Sequence, residues 1–232
     1  INMSGVNSIN WVRIIAQTVY YFYSYFKLDK ETISFSVPTG NFGDVFAGYL
    51  AKKMGLPIDK LIVATNENDI LHRAISKGDY VSKEVRETIS PSMDIQLASN
   101  FERLIYYVNN SDSEKTAEIM KKVKQNSYQI EKNNLDIIQK DFLSESCNEQ
   151  ETLDIIKKNY EENNIILDPH TAVGVGAAKK LSFNDCVVLS TAHPCKFPDA
   201  TNNAINKNEK LPKELQYVLD KEENFQVLKN NT

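Results

Sequence analysis

Apolar residues in the first part of the chain recur with periods that predict alternating helices and short strands. From residue 9 to residue 28 they follow helical spacing over a length that exceeds an ordinary strand, which predicts one long, mostly buried helix. Two short apolar runs, 33–37 and 61–64, predict strands on either side of a helix from about residue 45 to 54. This order is typical of an α/β fold, so we expect a mostly parallel sheet with flanking helices.

The second part of the chain is more polar and divides the sequence into three regions. Residues 112–164 carry Lys, Glu, Asn and Gln between sparse apolar positions, which predicts two or three surface helices in a mostly helical polar insertion. Asp168 and Pro169 form a typical helix start, and a buried strand is predicted over residues 186–189. We therefore expect an α/β region at 1–111, the insertion at 112–164, and the rest of the α/β domain with a polar tail at 165–232.

Composition and charge narrow the class of function. The 27 Lys and Arg residues against 31 Asp and Glu give a net charge of -4, which argues against nucleic acid as a partner. No run approaches the roughly 18 apolar residues that cross a membrane. Three cysteines without a CxxC pair indicate reduced thiols in a cytoplasmic protein, and the three histidines lack the spacing of a metal site. The chain starts with Ile1 rather than Met, so we expect that residues precede it.

The strongest chemical signal is the run Val-Pro-Thr-Gly-Asn-Phe-Gly-Asp at residues 37–44. A predicted strand ends there, two glycines allow a tight turn, and a helix begins at once. Free backbone N–H groups and the positive end of the helix dipole then point at one spot, which suits a phosphate group. The spacing matches neither the Walker loop nor the dinucleotide fingerprint. A plain strand-to-helix turn, with Asp44 assisting the cap, remains the alternative.

Seven segments taken together are more specific than this turn alone. They are residues 7–14, 38–44, 64–71, 90–96, 99–103, 168–174 and 189–197. In sequence and order they resemble threonine synthases, most closely the longer form of fungi and bacteria. The resemblance implies a large domain of the tryptophan-synthase-β type, fold type II of the pyridoxal-phosphate enzymes, which is incomplete here. It also implies a lyase of threonine biosynthesis that converts O-phosphohomoserine and water into threonine and phosphate.

The resemblance assigns binding roles to particular residues. The cofactor phosphate would be bound by Gly40, Asn41, Phe42, Gly43 and Asp44. Thr191 matches the position that hydrogen-bonds the pyridine nitrogen of the cofactor, although the adjacent Ser190 is an alternative. Asn7, Ser8 and Arg13 match the group that binds the substrate phosphate, for which a guanidinium offers a bidentate fork. The alternative is that Asn7 or Ser8 only caps the helix, with Arg13 as a buried polar contact of that helix.

The lysine that holds the cofactor in this family lies upstream of the segment at residues 7–14. No lysine of this chain has the matching context, and Lys196 follows the pyridine-nitrogen motif, so we assign no catalytic residue here. The expected partner is a missing N-terminal part of the same enzyme, without which the chain would be inactive. Two other functions remain open: a non-catalytic phosphate-binding or cofactor-binding module, and an interaction fragment whose insertion docks a partner. The motif residues Asp168, His170 and 66–68 receive no role beyond capping and packing.

Overall fold

A parallel sheet lies at the centre of the chain, for which the computed structural model describes residues 9–207 and 209–227. Its strands are β1 (Ile33–Pro38), β2 (Ile58–Thr65), β3 (Phe142–Ser146) and β4 (Val187–Val188). Their order across the sheet is β3-β2-β1-β4, with every pair parallel. The expected α/β fold with a mostly parallel sheet is therefore confirmed, and the strands predicted at 33–37 and 61–64 form its middle.

Helices cover the sheet on both faces. They are α1 (Trp11–Lys27), α2 (Gly43–Lys53), α3 (Ile70–Lys77), α4 (Phe101–Val108), α5 (Ser113–Lys124), α6 (Lys132–Asp141), α7 (Glu149–Asn163), α8 (Pro169–Lys180) and α9 (Pro198–Ile205). Short 3-10 turns span Pro91–Met93, Pro194–Lys196 and Lys213–Val218. Among the described residues, no helix combines the length and hydropathy that crossing a bilayer requires.

Alternating residues of β2 contribute to two separate hydrophobic clusters. Leu61 and Val63 belong to the larger cluster, which includes apolar side chains of α2, α3, α4 and α6. Ile62 and Ala64 pack with apolar residues of α8 in the smaller cluster. This period of two places α8 on the opposite face of the sheet from α2. Because both faces are covered, all six residues of β1 are buried.

Helix α1 differs from its prediction, because most of its surface is exposed. Only Ile14, Thr18 and Tyr21 are buried, whereas Val12 and Phe26 are 73% and 76% exposed. Apolar residues occur on all sides of α1. Within the described residues, the buried side of α1 packs against α2. The helix itself is confirmed, but its expected burial is wrong for this part of the molecule.

The later strands also differ from their predictions. β4 has two half-buried residues instead of the four buried ones expected at 186–189. Among the described residues it is an edge strand that pairs only with β1. The segment 112–164 contains three helices, as expected, but also β3, which follows α6 directly and pairs with β2. Its apolar side chains, among them Ile119 and Ile138, belong to the large cluster. The three-region division of the chain stays a prediction.

Candidate functional site

The turn from residue 39 to residue 44 lies where β1 ends and α2 begins, at the carboxyl edge of the sheet. The Thr39 N–H donates to the Ala64 carbonyl oxygen at 2.8 Å, which continues the pairing of β1 with β2. Within the described part of the chain, no acceptor is present for the backbone N–H groups from Gly40 to Val45. These N–H groups surround the positive end of the α2 dipole and form a cradle for an anion.

Two residues of the turn have distinct structural requirements. A Cβ atom at Gly40 would lie 2.4 Å from the Ser92 carbonyl oxygen, so only glycine fits between the two backbones. Phe42 has a left-handed backbone with φ of 65°, and its buried ring meets the Phe101 ring edge-on with centroids 5.1 Å apart. The side chain of Phe42 is therefore part of the core, and only its backbone faces the cradle side of the turn.

Asp44, in the first turn of α2, accepts hydrogen bonds from two tyrosines of α1. Its Oδ1 atom lies 2.5 Å from the Tyr20 hydroxyl and 3.0 Å from the Tyr21 hydroxyl, and Tyr21 also donates to the Asp44 carbonyl oxygen at 2.9 Å. Burial raises the pKa of Asp44 to about 6, although the two phenol donors act in the opposite direction. Burial, followed by the charge of Asp44, raises the pKa of both phenols. Asp44 thus connects α1 to the cradle through these hydrogen bonds.

Thr191 follows β4 and lies between two cavities. One, of about 520 Å³, is lined by Gln17, Tyr20, Ser24, Asp44, Val187, Val188, Leu189, Ser190 and Thr191. The other, of about 130 Å³, is lined by Pro38, Gly40, Ser92, Met93, His170, Thr191, Ala192, Lys196 and Phe197. The structure therefore brings Gly40, Asp44 and Thr191 together. Ser190 lines only the cavity on the Asp44 side.

Of the three residues expected at a substrate phosphate, the structure describes Arg13. Asn7 and Ser8 lie outside the described residues. Asn10 is the N-cap of α1, since its side-chain oxygen accepts from the Val12 N–H at 3.0 Å, so the alternative of Asn7 or Ser8 as the cap is wrong. Arg13 lies in the first turn of α1 and is exposed.

Two residues to which sequence reasoning gave no role connect the start of α1 with the turn. Arg103 donates from Nη2 to the Ile9 carbonyl oxygen at 2.9 Å and from Nε to Asn100 Oδ1 at 3.0 Å. Asn100 in turn donates from its backbone and its side chain to the Asn41 carbonyl oxygen, both at 3.1 Å. The Ser-Asn-Phe-Glu-Arg motif at 99–103 was the available signal, but its partners are distant in sequence.

The loop at residues 66–68 supports the turn that carries Ser92. The Asn66 side-chain amide donates to Thr88 Oγ1 at 2.8 Å and to Asp94 Oδ1 at 2.7 Å. Asn68 donates to the same carboxylate oxygen at 3.0 Å. These bonds hold the segment before and after Ser92, whose carbonyl oxygen lies against Gly40. The packing role expected for residues 66–68 is therefore to hold the turn that carries Ser92 in place.

Neither an activated lysine nor a metal site is present among the described residues of the site. Lys196 lines the smaller cavity but is exposed, so it lacks the desolvation that an activated lysine requires. Among the described residues, no group of three or more His, Cys, Asp or Glu side chains is placed to hold a metal ion. The site therefore offers N–H groups without an acceptor among the described residues, which suit an anion, and a hydroxyl at the next strand end.

A solved relative has the same architecture. The PLP-bound threonine synthase from Brucella melitensis superposes with a TM-score of 0.93 and 45% sequence identity, covering 97% of this chain and 50% of that one. The parallel sheet with helices on both faces is the fold of the type II class of pyridoxal-phosphate enzymes.

Sequence comparisons agree with this class and narrow it. The chain is 47% identical to threonine synthase of Saccharomyces cerevisiae, covering 93% of this chain and 48% of the relative. It is 44% identical to that of Pseudomonas aeruginosa, with 97% and 50% covered. Residues 171–232 match the family model described as "Threonine synthase, C-terminal". The chain therefore resembles the carboxyl-terminal part of threonine synthases, and it spans about half the length of the relatives it matches.

Proposed function

We propose that this chain is the carboxyl-terminal part of a threonine synthase, which converts O-phosphohomoserine and water into threonine and phosphate. The observation that carries the proposal is the cradle of N–H groups from Gly40 to Val45. Thr191 lines the same small cavity as Gly40. A cofactor with a phosphate at one end and a ring nitrogen at the other needs these two features on one sheet edge.

Pyridoxal phosphate fits the residues present. The N–H groups of Gly40, Asn41, Phe42, Gly43 and Asp44 would hold its phosphate. Thr65 at the end of β2 is buried, and its hydroxyl has no hydrogen-bond partner among the described residues, as expected where a ligand completes the pairing. When bound, the cofactor supplies an electron sink for carbanion chemistry. A neutral Thr191 hydroxyl at the ring nitrogen, unlike a carboxylate, would leave that nitrogen unprotonated.

The substrate phosphate would be bound at the start of α1 by Asn7, Ser8 and Arg13. Arg13 lies in the first turn of α1, and the link through Arg103 and Asn100 fixes the start of this helix relative to the cofactor turn. A guanidinium binds a phosphate dianion with two parallel hydrogen bonds, which fixes orientation as well as charge.

The rest of the protein would supply what the described residues lack. The relatives are about twice as long. The resemblance implies that the cofactor-binding lysine lies in the part of the protein that precedes residues 7–14. Val12, Val19 and Phe26 form an exposed apolar surface on α1. Such a surface is typical of an interface, so we place the missing N-terminal part against it. This chain alone would then lack activity.

The complete protein, purified and incubated with O-phosphohomoserine and pyridoxal phosphate, tests the proposal. We expect equal amounts of threonine and phosphate, and loss of both when residues 39–44 are replaced by alanines. Replacing the exposed pair Lys121 and Lys122 of α5 by alanine is the matched control and should leave release unchanged. A folded protein that binds the cofactor but releases neither product would overturn the proposed activity. It would favour a non-catalytic cofactor-binding module instead.

A second experiment locates the covalent attachment. Borohydride reduction of the loaded complete protein, followed by peptide mapping, should place the cofactor on a lysine outside residues 1–232. Attachment at Lys196 would contradict the assignment of this chain as a part without the anchoring lysine. The same reduction of the 232-residue chain should leave no covalent cofactor.

A further inference from the structure

A buried polar cluster lies at the start of α8, beside the smaller cavity. Asp168, His170 and Thr171 are 1%, 3% and 4% exposed. Asp168 Oδ1 accepts from the His170 N–H at 2.9 Å and lies 3.0 Å from His170 Nδ1. Asp168 Oδ2 accepts from the Thr171 hydroxyl. Asp168 thus does more than cap the helix, because it also fixes two side chains.

The hydrogen bonds define the tautomer of His170. Its Nε2 atom accepts from the Ser92 backbone N–H at 3.2 Å, so that nitrogen carries no proton. The proton therefore lies on Nδ1, where it is donated to Asp168 Oδ1. The ring also packs on Phe197, with centroids 4.8 Å apart. One ring orientation and one tautomer satisfy these contacts.

The cluster touches both walls of the smaller cavity. On one side, His170 accepts a hydrogen bond from the Ser92 N–H. The Ser92 carbonyl oxygen lies against Gly40, where an added Cβ atom would be 2.4 Å from it. On the other side, the Thr191 backbone N–H donates to Thr171 Oγ1 at 3.3 Å. A continuous chain of hydrogen bonds thus runs from the Ser92 turn through Asp168 to the backbone of Thr191.

We infer that Asp168, His170 and Thr171 are positioning residues, which set the separation between the phosphate turn at Gly40 and the ring-end hydroxyl of Thr191. This inference rests on the proposed function. A rigid cofactor with binding groups at both ends requires that separation to be fixed before it binds. Buried hydrogen bonds supply the rigidity, since an unpaired group in this cluster would be costly.

Substitutions at Thr171 in the complete protein give the sharpest test. Thr171→Val keeps the shape but removes the acceptor for Thr191, whereas Thr171→Ser keeps the hydroxyl. We expect pyridoxal phosphate to bind about tenfold more weakly to Thr171→Val, with a changed absorbance spectrum, and within about threefold of wild type to Thr171→Ser. Equal affinity and identical spectra for both variants would overturn the inference.

A matched pair at His170 tests the other wall. His170→Gln can place an acceptor near the Nε2 position, and His170→Asn can place a donor near the Nδ1 position. We expect faster amide exchange at Ser92 in His170→Asn than in His170→Gln, and a larger loss of cofactor affinity. Equal exchange at Ser92 in both variants would refute the role of His170. A merely structural role would lower thermal stability in both without separating their affinities.

The same measurements distinguish this inference from the proposed function. Amide exchange at Ser92 and Thr191 in the cofactor-free protein reports the geometry whether or not threonine is made. A wild-type protein that binds the cofactor and shows the expected exchange, but makes no threonine, would refute the proposed reaction and leave the positioning role standing. A wild-type protein that does not bind pyridoxal phosphate would overturn both.

Discussion

The two ends of the candidate site follow strands of the same sheet but are held differently. The turn at residues 39–44 follows a wholly buried strand, anchors Phe42 in the core and is bonded to both α1 and α4. The loop at residues 190–197 follows a two-residue edge strand, and Ser190 and Thr191 are exposed. We therefore expect this chain to build the phosphate end by itself. The ring end is open on one side, where we expect the rest of the protein to complete it.

The largest expected effect comes from filling the close contact at the phosphate end. Gly40→Ala places a Cβ atom 2.4 Å from a backbone oxygen, so the turn must move away from Ser92. We expect pyridoxal phosphate affinity of the complete protein to fall about 100-fold, equivalent to roughly 2.7 kcal/mol, as measured by titration.

Gly55→Ala provides the matched control. Its φ is +104°, but no atom lies within 4 Å of the added Cβ, and it follows the far end of α2. We expect about 1 kcal/mol of lost stability from backbone strain and no change in cofactor affinity. Equal loss of affinity in the two variants would mean that the contact with Ser92 is not what shapes the turn.

The next largest effect concerns the ionisation of Asp44. Burial raises its pKa from 3.8 to about 6, so the folded protein binds this proton more tightly than the unfolded chain. The penalty for the buried charge is thus fully present above about pH 6 and is lost as the pH falls towards 4. We expect the free energy of unfolding to gain roughly 2 kcal/mol over that fall through this group.

Asp44→Asn removes that dependence while keeping an acceptor for the two tyrosines. Denaturation of wild type and variant at several pH values should show the variant to be the more stable protein at pH 7, with the difference vanishing near pH 4. Asp136→Asn, at an exposed ion pair with Lys132 on α6, is the control and should leave the wild-type slope intact. If Asp44→Asn keeps the wild-type pH dependence of the free energy of unfolding, that dependence comes from another group.

The same contrast explains which features were predictable from the sequence. The strand, turn and helix around Gly40 form one continuous segment, so its local pattern was sufficient. The exposure of α1 was not predictable, because apolar periodicity reports the tendency to be buried and not which chain covers the surface. β3 was missed since its five residues, two apolar and then three polar, show no alternation and directly follow a helix. The His170–Ser92 bond joins residues 78 positions apart, which no local pattern encodes.

A smaller effect is expected at the exposed ring end. Thr191→Ala should weaken cofactor binding about tenfold and alter the absorbance spectrum, since it removes the proposed hydrogen bond to the ring nitrogen. Ser190→Ala should change affinity less than about twofold, because Ser190 lines only the cavity on the Asp44 side. Thr191→Ser should restore the wild-type spectrum. The reverse pattern would transfer the ring contact to Ser190.

The smallest effect tests the buried hydroxyl of Thr65 at the carboxyl end of β2. Because this hydroxyl has no partner among the described residues, Thr65→Val should stabilise the cofactor-free protein by about 1 kcal/mol. Thr152→Val, at a site equally buried (2% exposed), removes a hydroxyl that donates to the Asn148 carbonyl oxygen at 2.8 Å and should destabilise it instead. If Thr65 completes its hydrogen bonding with the cofactor, Thr65→Val must also bind pyridoxal phosphate several-fold more weakly. A gain in stability without that loss would show that the hydroxyl is merely unsatisfied, and that the cradle depends on backbone N–H groups alone.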